Sequence, residues 1–192
     1  MLPEDKLIEQ CKKGKQQAQE ELYDRFSAAM LATCIRYTGN STEAEDLLQE
    51  GFIKVFRNIY EFKARNEGSL AAWIKRIMIN TAISFLREKK RFSFIENIES
   101  YPGFETGDPF YEEFEVNTPS SNELMNMISE LPDGYRLVFN LYVLENYGHK
   151  EIAQTLGITE GTSKSQLAKA RMFLQKRITM SCGLKKKQLI AI

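Results

Sequence analysis

Hydrophobic side chains recur at intervals of three and four along most of this 192-residue chain. This is the spacing of one face of an α-helix, whereas a strand buried on one side would alternate every second residue. A clear series is Leu48, Phe52, Val55 and Ile59. The pattern therefore predicts an all-α fold.

Glycines and capping residues divide the first part of the chain into separate helices. The pattern predicts two helical segments broken near Gly14, and Gly39 is positioned to stop the second of them. Thr42 and Glu45 have the three-residue spacing of a capping box, in which two side chains bond the free amides at a helix start. The next helix is therefore expected to begin beside Thr42.

A polar segment at residues 62–69 ends that helix, and a further long helix is predicted over residues 70–91. Trp73, Ile77 and Thr81 follow each other at intervals of four within it. They are expected to lie on its buried face.

Periodicity disappears after residue 92, where Pro and Gly are mixed with acids and aromatic residues. Residues 1–95 carry 16 Lys or Arg and 13 acidic residues. Residues 96–130 carry no Lys or Arg and nine acidic residues, and residues 131–192 carry ten Lys or Arg and four acidic residues. Two cationic lobes on either side of an acidic connector indicate that both lobes meet an anionic partner. We therefore divide the chain into domains at 1–95 and 122–180, a linker at 96–121 and a basic tail at 181–192.

Two short amphipathic segments near the C-terminus have the pattern of a helix-turn-helix. Gly157 is placed to reverse the chain in a left-handed conformation, and Thr159 is placed to cap the second helix. The apolar positions predicted to face inward are Ile152, Ala153, Leu156, Leu167, Ala170 and Leu174. Ser163 lies on the same inward arc, where we expect its hydroxyl to bond a backbone carbonyl.

The opposite face of the second helix carries hydroxyls and cations. The outward strip is formed by Thr162, Ser165, Lys169 and Lys176, and it is flanked by Lys164 and Arg171. Lys and Arg bind guanine and phosphate in the major groove of DNA, and the hydroxyl of Ser or Thr can form hydrogen bonds with several bases. The pattern favours DNA binding; the alternative is an ordinary helical hairpin whose basic face is solvated.

Composition excludes several classes of protein. Cys11, Cys34 and Cys182 are far apart, and the single histidine, His149, leaves no zinc-binding cluster and few nucleophile–histidine arrangements. No phosphate-binding glycine loop, signal peptide or long apolar run occurs. We therefore expect reduced thiols, no cofactor, no metal, no membrane insertion and a cytoplasmic location.

The two lobes resemble parts of a bacterial protein family. Residues 43–91 resemble region 2 of an RNA polymerase sigma factor, and residues 131–178 resemble its region 4. Their order and separation are similar to the extracytoplasmic-function (ECF) class. The resemblance implies a region 2 helical bundle and a region 4 helix-turn-helix joined by the acidic linker.

The resemblance also implies roles for individual residues. The outward face of the helix at residues 46–57 corresponds to the surface that docks on core polymerase, with candidates Asp46, Gln49, Glu50, Lys54 and Arg57. The candidates for the −10 promoter element, where a base is flipped from melted DNA, are Arg65, Asn66, Lys75, Arg76, Asn80, Arg87, Lys89, Lys90 and Arg91. The candidates for the −35 element are Thr162, Lys164, Ser165, Gln166, Lys169 and Arg171.

On this resemblance the chain is not an enzyme but a dissociable specificity subunit. The implied partners are core RNA polymerase, through its β′ coiled coil and β flap, promoter DNA and an anti-sigma factor. The linker is expected either to thread toward the RNA exit channel or to serve as a simple tether. The long connector also permits the two lobes to pack together in the free protein.

Three other classes remain as alternatives. A one-component regulator would use residues 1–95 for dimerisation or ligand binding, and would bind a palindromic site as a stable dimer. A protein scaffold would show no promoter specificity. A helical enzyme is the least favoured, because no paired catalytic groups or cofactor loop stand out.

Overall fold

A computed structural model describes residues 1–64, 68–88 and 119–181. These residues form helices and no strands, which confirms the all-α prediction. The α-helices are α1 (Glu4–Lys12), α2 (Gln16–Thr38), α3 (Ser41–Asn58), α4 (Ser69–Glu88), α5 (Ser121–Ser129), α6 (Asp133–Phe139), α7 (His149–Leu156) and α8 (Glu160–Ser181). A 3₁₀ turn (Ile59–Glu61) follows α3, and a π-helical turn (Asn140–Leu144) follows α6.

Helices α1–α4 belong to one compact unit, unit 1, and α5–α8 belong to a second, unit 2. The linker and tail predicted from the sequence lie mostly outside the described residues. Among the described ranges, no helix has the length and apolar character needed to cross a membrane.

The core of unit 1 lies where α2, α3 and α4 pack together. The predicted series Leu48, Phe52, Val55 and Ile59 is buried, as is Thr81 on α4. Trp73 and Ile77 are only partly buried. Fully covered side chains in this core are Leu7, Leu22, Tyr37, Leu47, Leu70, Ile74, Met78 and Leu86.

The junction between α2 and α3 differs from the predicted capping box. Gly39 ends α2 in the left-handed conformation, as expected, with φ 68°. Asn40 follows in an extended conformation, and its side chain accepts a hydrogen bond from the Glu43 amide at 3.1 Å. Asn40 is therefore the cap, and the prediction of Thr42 with Glu45 is wrong, because Thr42 already lies inside the helix.

Gly51 on α3 leaves room for the side chain of Met78 on α4. A Cβ atom placed at Gly51 would lie 2.2 Å from the sulfur of Met78, whose side chain is fully buried. Real contacts of this kind are never so short, so Met78 would have to move within a packed core. The position of the Met78 thioether therefore depends on the missing side chain at Gly51.

We expect Gly51→Ala to lower the free energy of unfolding of unit 1 by about 1–2 kcal/mol, because overpacking outweighs the gain in helix propensity. In a Met78→Ala background the same substitution is expected to be neutral or to stabilise by up to about 1 kcal/mol. Urea unfolding followed by the fluorescence of Trp73, the only tryptophan, measures both changes. Equal effects in the two backgrounds would contradict the role assigned to Met78.

Helix α8 is the centre of unit 2, because it packs against α6, α7 and α5. Met127, Ile128 and Leu131 pack with Ala170 and Leu174 in one cluster. Ser120 and Glu123 form a capping box at the start of α5. Burial of these apolar side chains, together with the packing of α6 and α7, holds one side of α8 in place.

Arg136 on α6 is buried, with 3% of its surface exposed, although the sequence pattern gave it no role. Its guanidinium donates to the carbonyl oxygens of Ser129 at 3.1 Å and Leu131 at 2.5 Å, and it pairs with the Asp133 carboxylate. A buried guanidinium is tolerated only when its donors are paired in this way. Arg136 thus joins the end of α5 to the start of α6.

The helix-turn-helix forms as predicted. Gly157 is left-handed, with φ 70°, and the Thr159 hydroxyl accepts a hydrogen bond from the Thr162 amide at 3.0 Å. All six apolar positions expected to face inward are buried. The turn therefore fixes α8 relative to α7.

The thiols of Cys11 and Cys34 are free and buried. Burial raises the pKa of both thiols, that of Cys34 to about 12. Both therefore stay protonated near neutral pH, as expected of inert core cysteines.

Candidate nucleic-acid interface

The outward side of α8 presents a strip of cations and hydroxyls. Lys164, Ser165 and Arg171 are exposed, while Thr162 and Lys169 are partly exposed. The opposite side of α8 is held by buried Leu167, Ala170 and Leu174. A helix fixed on one side, with cations and hydroxyls on the other, has the composition of a major-groove reading helix.

Gln166 is a correction to the predicted set. Its side chain is buried, with 6% exposed, and it follows the buried Ser163 by three residues and precedes the buried Ala170 by four, so it lies beside both on the helix. Within the described ranges its Oε1 atom accepts no hydrogen bond. A side chain in this position does not reach a base from the outer face of α8, so Gln166 leaves the set of proposed contacts.

A series of polar and aromatic contacts runs behind this strip. The Ser163 hydroxyl lies 2.9 Å from Nδ1 of His149, so the predicted bond to a carbonyl is replaced by a bond to the first residue of α7. The imidazole stacks on the ring of Tyr142, with centroids 4.6 Å apart and an interplanar angle of 26°. The Arg171 guanidinium lies over the same Tyr142 ring, 5.9 Å from its centroid.

The surroundings of His149 favour its neutral form. Burial lowers the pKa of the imidazole below 6.5, Lys164 and Arg171 lower it further, and Glu160 opposes them. The folded unit thus holds this proton less tightly than the unfolded chain does.

We therefore expect unit 2 to be most stable above the ordinary histidine pKa of 6.5 and to lose stability as the pH falls through that value. Unfolding in urea followed by circular dichroism at pH 7.5 and 5.5 measures the change. His149→Gln keeps a hydrogen-bonding side chain and should remove the dependence. Because His149 is the only histidine, unit 1, followed through Trp73, is the internal control; an equal pH effect there would refute this assignment.

In unit 1, α3 presents most of the predicted polymerase-binding residues to solvent. Asp46, Gln49, Glu50 and Arg57 are exposed. Lys54 differs, because its ammonium pairs with Glu50 at 2.6 Å and donates to the Thr81 hydroxyl at 3.3 Å. Lys54 thus connects this face to α4.

The sequence analysis missed two exposed apolar residues, one on α3 and one in the 3₁₀ turn that follows it. Ile53 is 51% exposed and Tyr60, in the 3₁₀ turn, is 63% exposed. Ile53 follows Gln49 by four residues and precedes Arg57 by four, so it lies within the polar face. The intervals of four residues from Ile53 to Gln49 and to Arg57 could have revealed this exposed position from the sequence. Exposed apolar side chains framed by polar ones are typical of protein interfaces.

Helix α4 carries the described part of the predicted −10 set. Arg76, Asn80 and Arg87 are exposed, and their spacing of four and seven places them on one strip. Lys75 is partly buried and lies about 100° away from Arg76 on the helix. The remaining candidates lie outside the described residues: Arg65, Asn66, Lys89, Lys90 and Arg91.

The segment that leads to this strip is fixed at its start. Lys12 on α1 donates to the Phe62 carbonyl at 2.6 Å. The ring of Phe62 packs on Trp73 with centroids 5.1 Å apart. This contact supports the structural role predicted for Trp73. In the described part of the chain, no three His, Cys, Asp or Glu side chains are grouped to hold a metal ion.

Comparisons with protein families match both units. The family model for Sigma-70 region 2 matches residues 22–92, and the model for Sigma-70, region 4 matches residues 121–174. The ranges include α3, α4 and the helix-turn-helix. They therefore contain the described candidate residues of all three surfaces.

Known proteins are similar over nearly the whole chain. The ECF RNA polymerase sigma factor SigW of Bacillus subtilis (strain 168) is 32% identical over 180 residues, which cover 90% of this chain and 95% of SigW. The ECF RNA polymerase sigma-E factor of Escherichia coli (strain K12) is 29% identical over 188 residues, 92% of this chain and 95% of that protein. Among solved structures, the sigma factor RpoE in complex with the anti-sigma factor NepR from Bartonella quintana matches with a TM-score of 0.47 and 20% identity, covering 82% of this chain and 94% of that one.

Proposed function

This chain belongs to the ECF RNA polymerase sigma factors, and from that membership we propose how its surfaces divide the work of starting transcription. A sigma factor binds core RNA polymerase and directs promoter recognition, DNA melting and initiation. The alternative one-component regulator is not favoured, because region 2 occupies the part of the chain that would have to serve as its sensor.

The α8 strip reads the −35 element as duplex DNA. The observation that carries this proposal is the exposure of Lys164, Ser165 and Arg171 on a helix whose other side is buried. Lys and Arg contribute phosphate and guanine contacts, and the hydroxyls of Ser165 and Thr162 add hydrogen bonds to base edges or backbone. Lys169 completes the strip.

The strip on α4 binds melted DNA at the −10 element. Arg76 and Arg87 supply charge for the backbone, and the Asn80 amide supplies hydrogen bonds to an unpaired base. Arg65, Asn66, Lys89, Lys90 and Arg91 stay proposed contacts with the same DNA on the basis of the sequence. Lys75 is proposed as a peripheral contact, because it lies to one side of the strip.

The exposed face of α3 docks on the β′ coiled coil of core polymerase. Asp46, Gln49, Glu50 and Arg57 provide a polar rim, and Ile53 provides an apolar centre. Unit 2 meets the β flap. An anti-sigma factor that covers the α3 face would silence the protein, because both partners need the same surface.

The chain itself catalyses no reaction in this proposal, and it works in the cytoplasm with the polymerase that supplies the chemistry. The acidic linker at residues 96–121 follows the basic path of the emerging RNA. If it does, replacing its glutamates with glutamines will change the ratio of abortive to full-length transcripts; an unchanged ratio identifies a simple tether.

Reconstitution tests the proposed function. Purified core polymerase, the full chain and genomic DNA are mixed, and transcript start sites are mapped. We expect starts that lie downstream of one shared two-part sequence and that disappear when the chain is omitted. Because polymerase holds both units on DNA together, linked weak contacts give tight binding that weakens as salt rises.

Two results would contradict the proposal. One is failure of the purified chain to associate with core polymerase. The other is nanomolar, sequence-specific DNA binding by the chain alone, which would identify a regulator that acts without polymerase.

A further inference from the structure

Arg171 is the one proposed −35 contact that lies over an aromatic ring in the described residues. Its guanidinium lies over Tyr142, Tyr142 stacks on His149, and His149 bonds Ser163 on α8. The series starts and ends on α8 and passes through the π-helical turn and α7. It therefore connects the reading helix to both elements that precede it.

We propose that Tyr142 and His149 are positioning residues that hold Arg171 ready for the −35 duplex, and that protonation of His149 releases it. The inference rests on the proposed function, because it takes Arg171 to contact DNA. It adds two residues, on other elements, that determine how well that contact is made.

Positioning matters because Arg171 is an exposed, flexible side chain. Ordering a free arginine side chain on binding costs rotamer entropy. A guanidinium already resting on a ring has lost part of that freedom before DNA arrives. Tyr142 is partly buried and stacked on a second ring, so it is a firm support.

Charge on His149 works against this arrangement. The charged groups near the imidazole are Lys164, Glu160 and Arg171 from α8, while Tyr142 faces it from the π-helical turn. A protonated imidazole adds a third cation to Lys164 and Arg171 against the single carboxylate of Glu160. It also presents its own charge to the ring that supports Arg171, so the guanidinium is expected to move away.

The first test is a double-mutant cycle in the holoenzyme, on a promoter mapped as described above. Tyr142→Ala is expected to lower promoter affinity about two- to fivefold, from the strength of an exposed cation–π contact. Tyr142→Phe keeps the ring and should bind as the parent does. If Tyr142 acts through Arg171, Tyr142→Ala combined with Arg171→Ala will bind no more weakly than Arg171→Ala alone.

Phe173→Leu is the matched control. It removes a similar ring from under Arg177, 5.6 Å away on the same helix, and should leave promoter affinity unchanged. Circular dichroism verifies that each variant is folded, and Tyr142→Leu replaces Tyr142→Ala if the smaller residue unfolds unit 2. Multiplicative losses in the double variant would overturn the proposal, since they would mean that Tyr142 acts independently of Arg171.

The second test is a pH profile from pH 8 to pH 5.5, because the pKa of His149 lies below 6.5. At each pH the affinity for the promoter is divided by that for the same promoter with a scrambled −35 element, which cancels pH effects on polymerase. The ratio should fall with pH in the parent and stay level in His149→Phe, which keeps a stacking ring without a titrating nitrogen. Identical profiles for the two proteins would overturn the switch.

Failure of the proposed function gives a different result from failure of this inference. In that case the unsubstituted protein itself binds the promoter and the scrambled −35 promoter equally at every pH, or it supports no initiation at all. A ratio above one in the parent, with Tyr142→Ala unchanged from it, would refute only the positioning role.

Discussion

Replacing Arg136 with methionine is expected to lower the free energy of unfolding of unit 2 by about 3–5 kcal/mol, the usual cost of removing one partner from a buried ion pair. The substitution leaves the carbonyl oxygens of Ser129 and Leu131 without the donors that they have in the native structure. Each buried acceptor without a partner costs about 1–3 kcal/mol. Asp133 loses its cation as well.

The loss is measured by urea unfolding with two probes. Circular dichroism reports both units, whereas the fluorescence of Trp73 reports unit 1. We expect an early dichroism transition in Arg136→Met and an unchanged fluorescence transition. Arg136→Lys should be intermediate, because an ammonium keeps the charge but not the planar fork.

Arg177→Met provides the control for Arg136. Arg177 pairs with Glu130 at 2.7 Å, but half of each side chain is exposed, so the pair contributes no more than about 1 kcal/mol. If Arg136→Met and Arg177→Met lose equal stability, the burial of Arg136 does not make its ion pair more important than an exposed one.

Ile53→Asp is expected to weaken binding to core polymerase by about 2–4 kcal/mol, roughly 30- to 1000-fold, if Ile53 lies at the centre of the docking face. In the free protein half of Ile53 is exposed, so its replacement should leave the urea midpoint of unit 1 almost unchanged. Fluorescence polarisation of labelled chain titrated with core polymerase measures the affinity.

Met180→Asp is the matched control for Ile53. Met180 is 69% exposed at the end of α8 and belongs to no proposed surface, and the change in charge is the same. Polymerase binding by Met180→Asp should equal that of the parent. Full affinity in Ile53→Asp would remove α3 from the docking surface.

Local rules of helix formation were sufficient to predict much of the fold. Gly39, Gly157 and Thr159 act as predicted, because each has an intrinsic preference that its neighbours do not oppose. The cap at α3 was misplaced by two residues. Thr42 with Glu45 fits the pattern of a capping box, but the left-handed turn at Gly39 brings Asn40 to the free amides first.

The contacts that cross between helices were not predictable from spacing. The sequence pattern makes Arg136 look like a surface cation, whereas in the fold the carbonyl oxygens of Ser129 and Leu131 and the Asp133 carboxylate accept from its buried guanidinium. The bond between Ser163 and His149 likewise depends on the crossing of α7 and α8. Gln166 was assigned from the resemblance alone, and its burial became visible only after folding.

The assignments of residues to promoter elements and to polymerase stay predictions. The sequence supplied the candidates, and the structure describes where most of them lie. It also adds Ile53, Tyr60 and Tyr142, whose exposure or ring contacts are visible only after folding.

The close approach of Gly51 to Met78 also limits the evolutionary routes open to this protein. A lineage that acquires alanine at position 51 meets a barrier unless the side chain at position 78 first becomes smaller. The two positions are thus expected to covary among descendants, with the change on α4 preceding the change on α3.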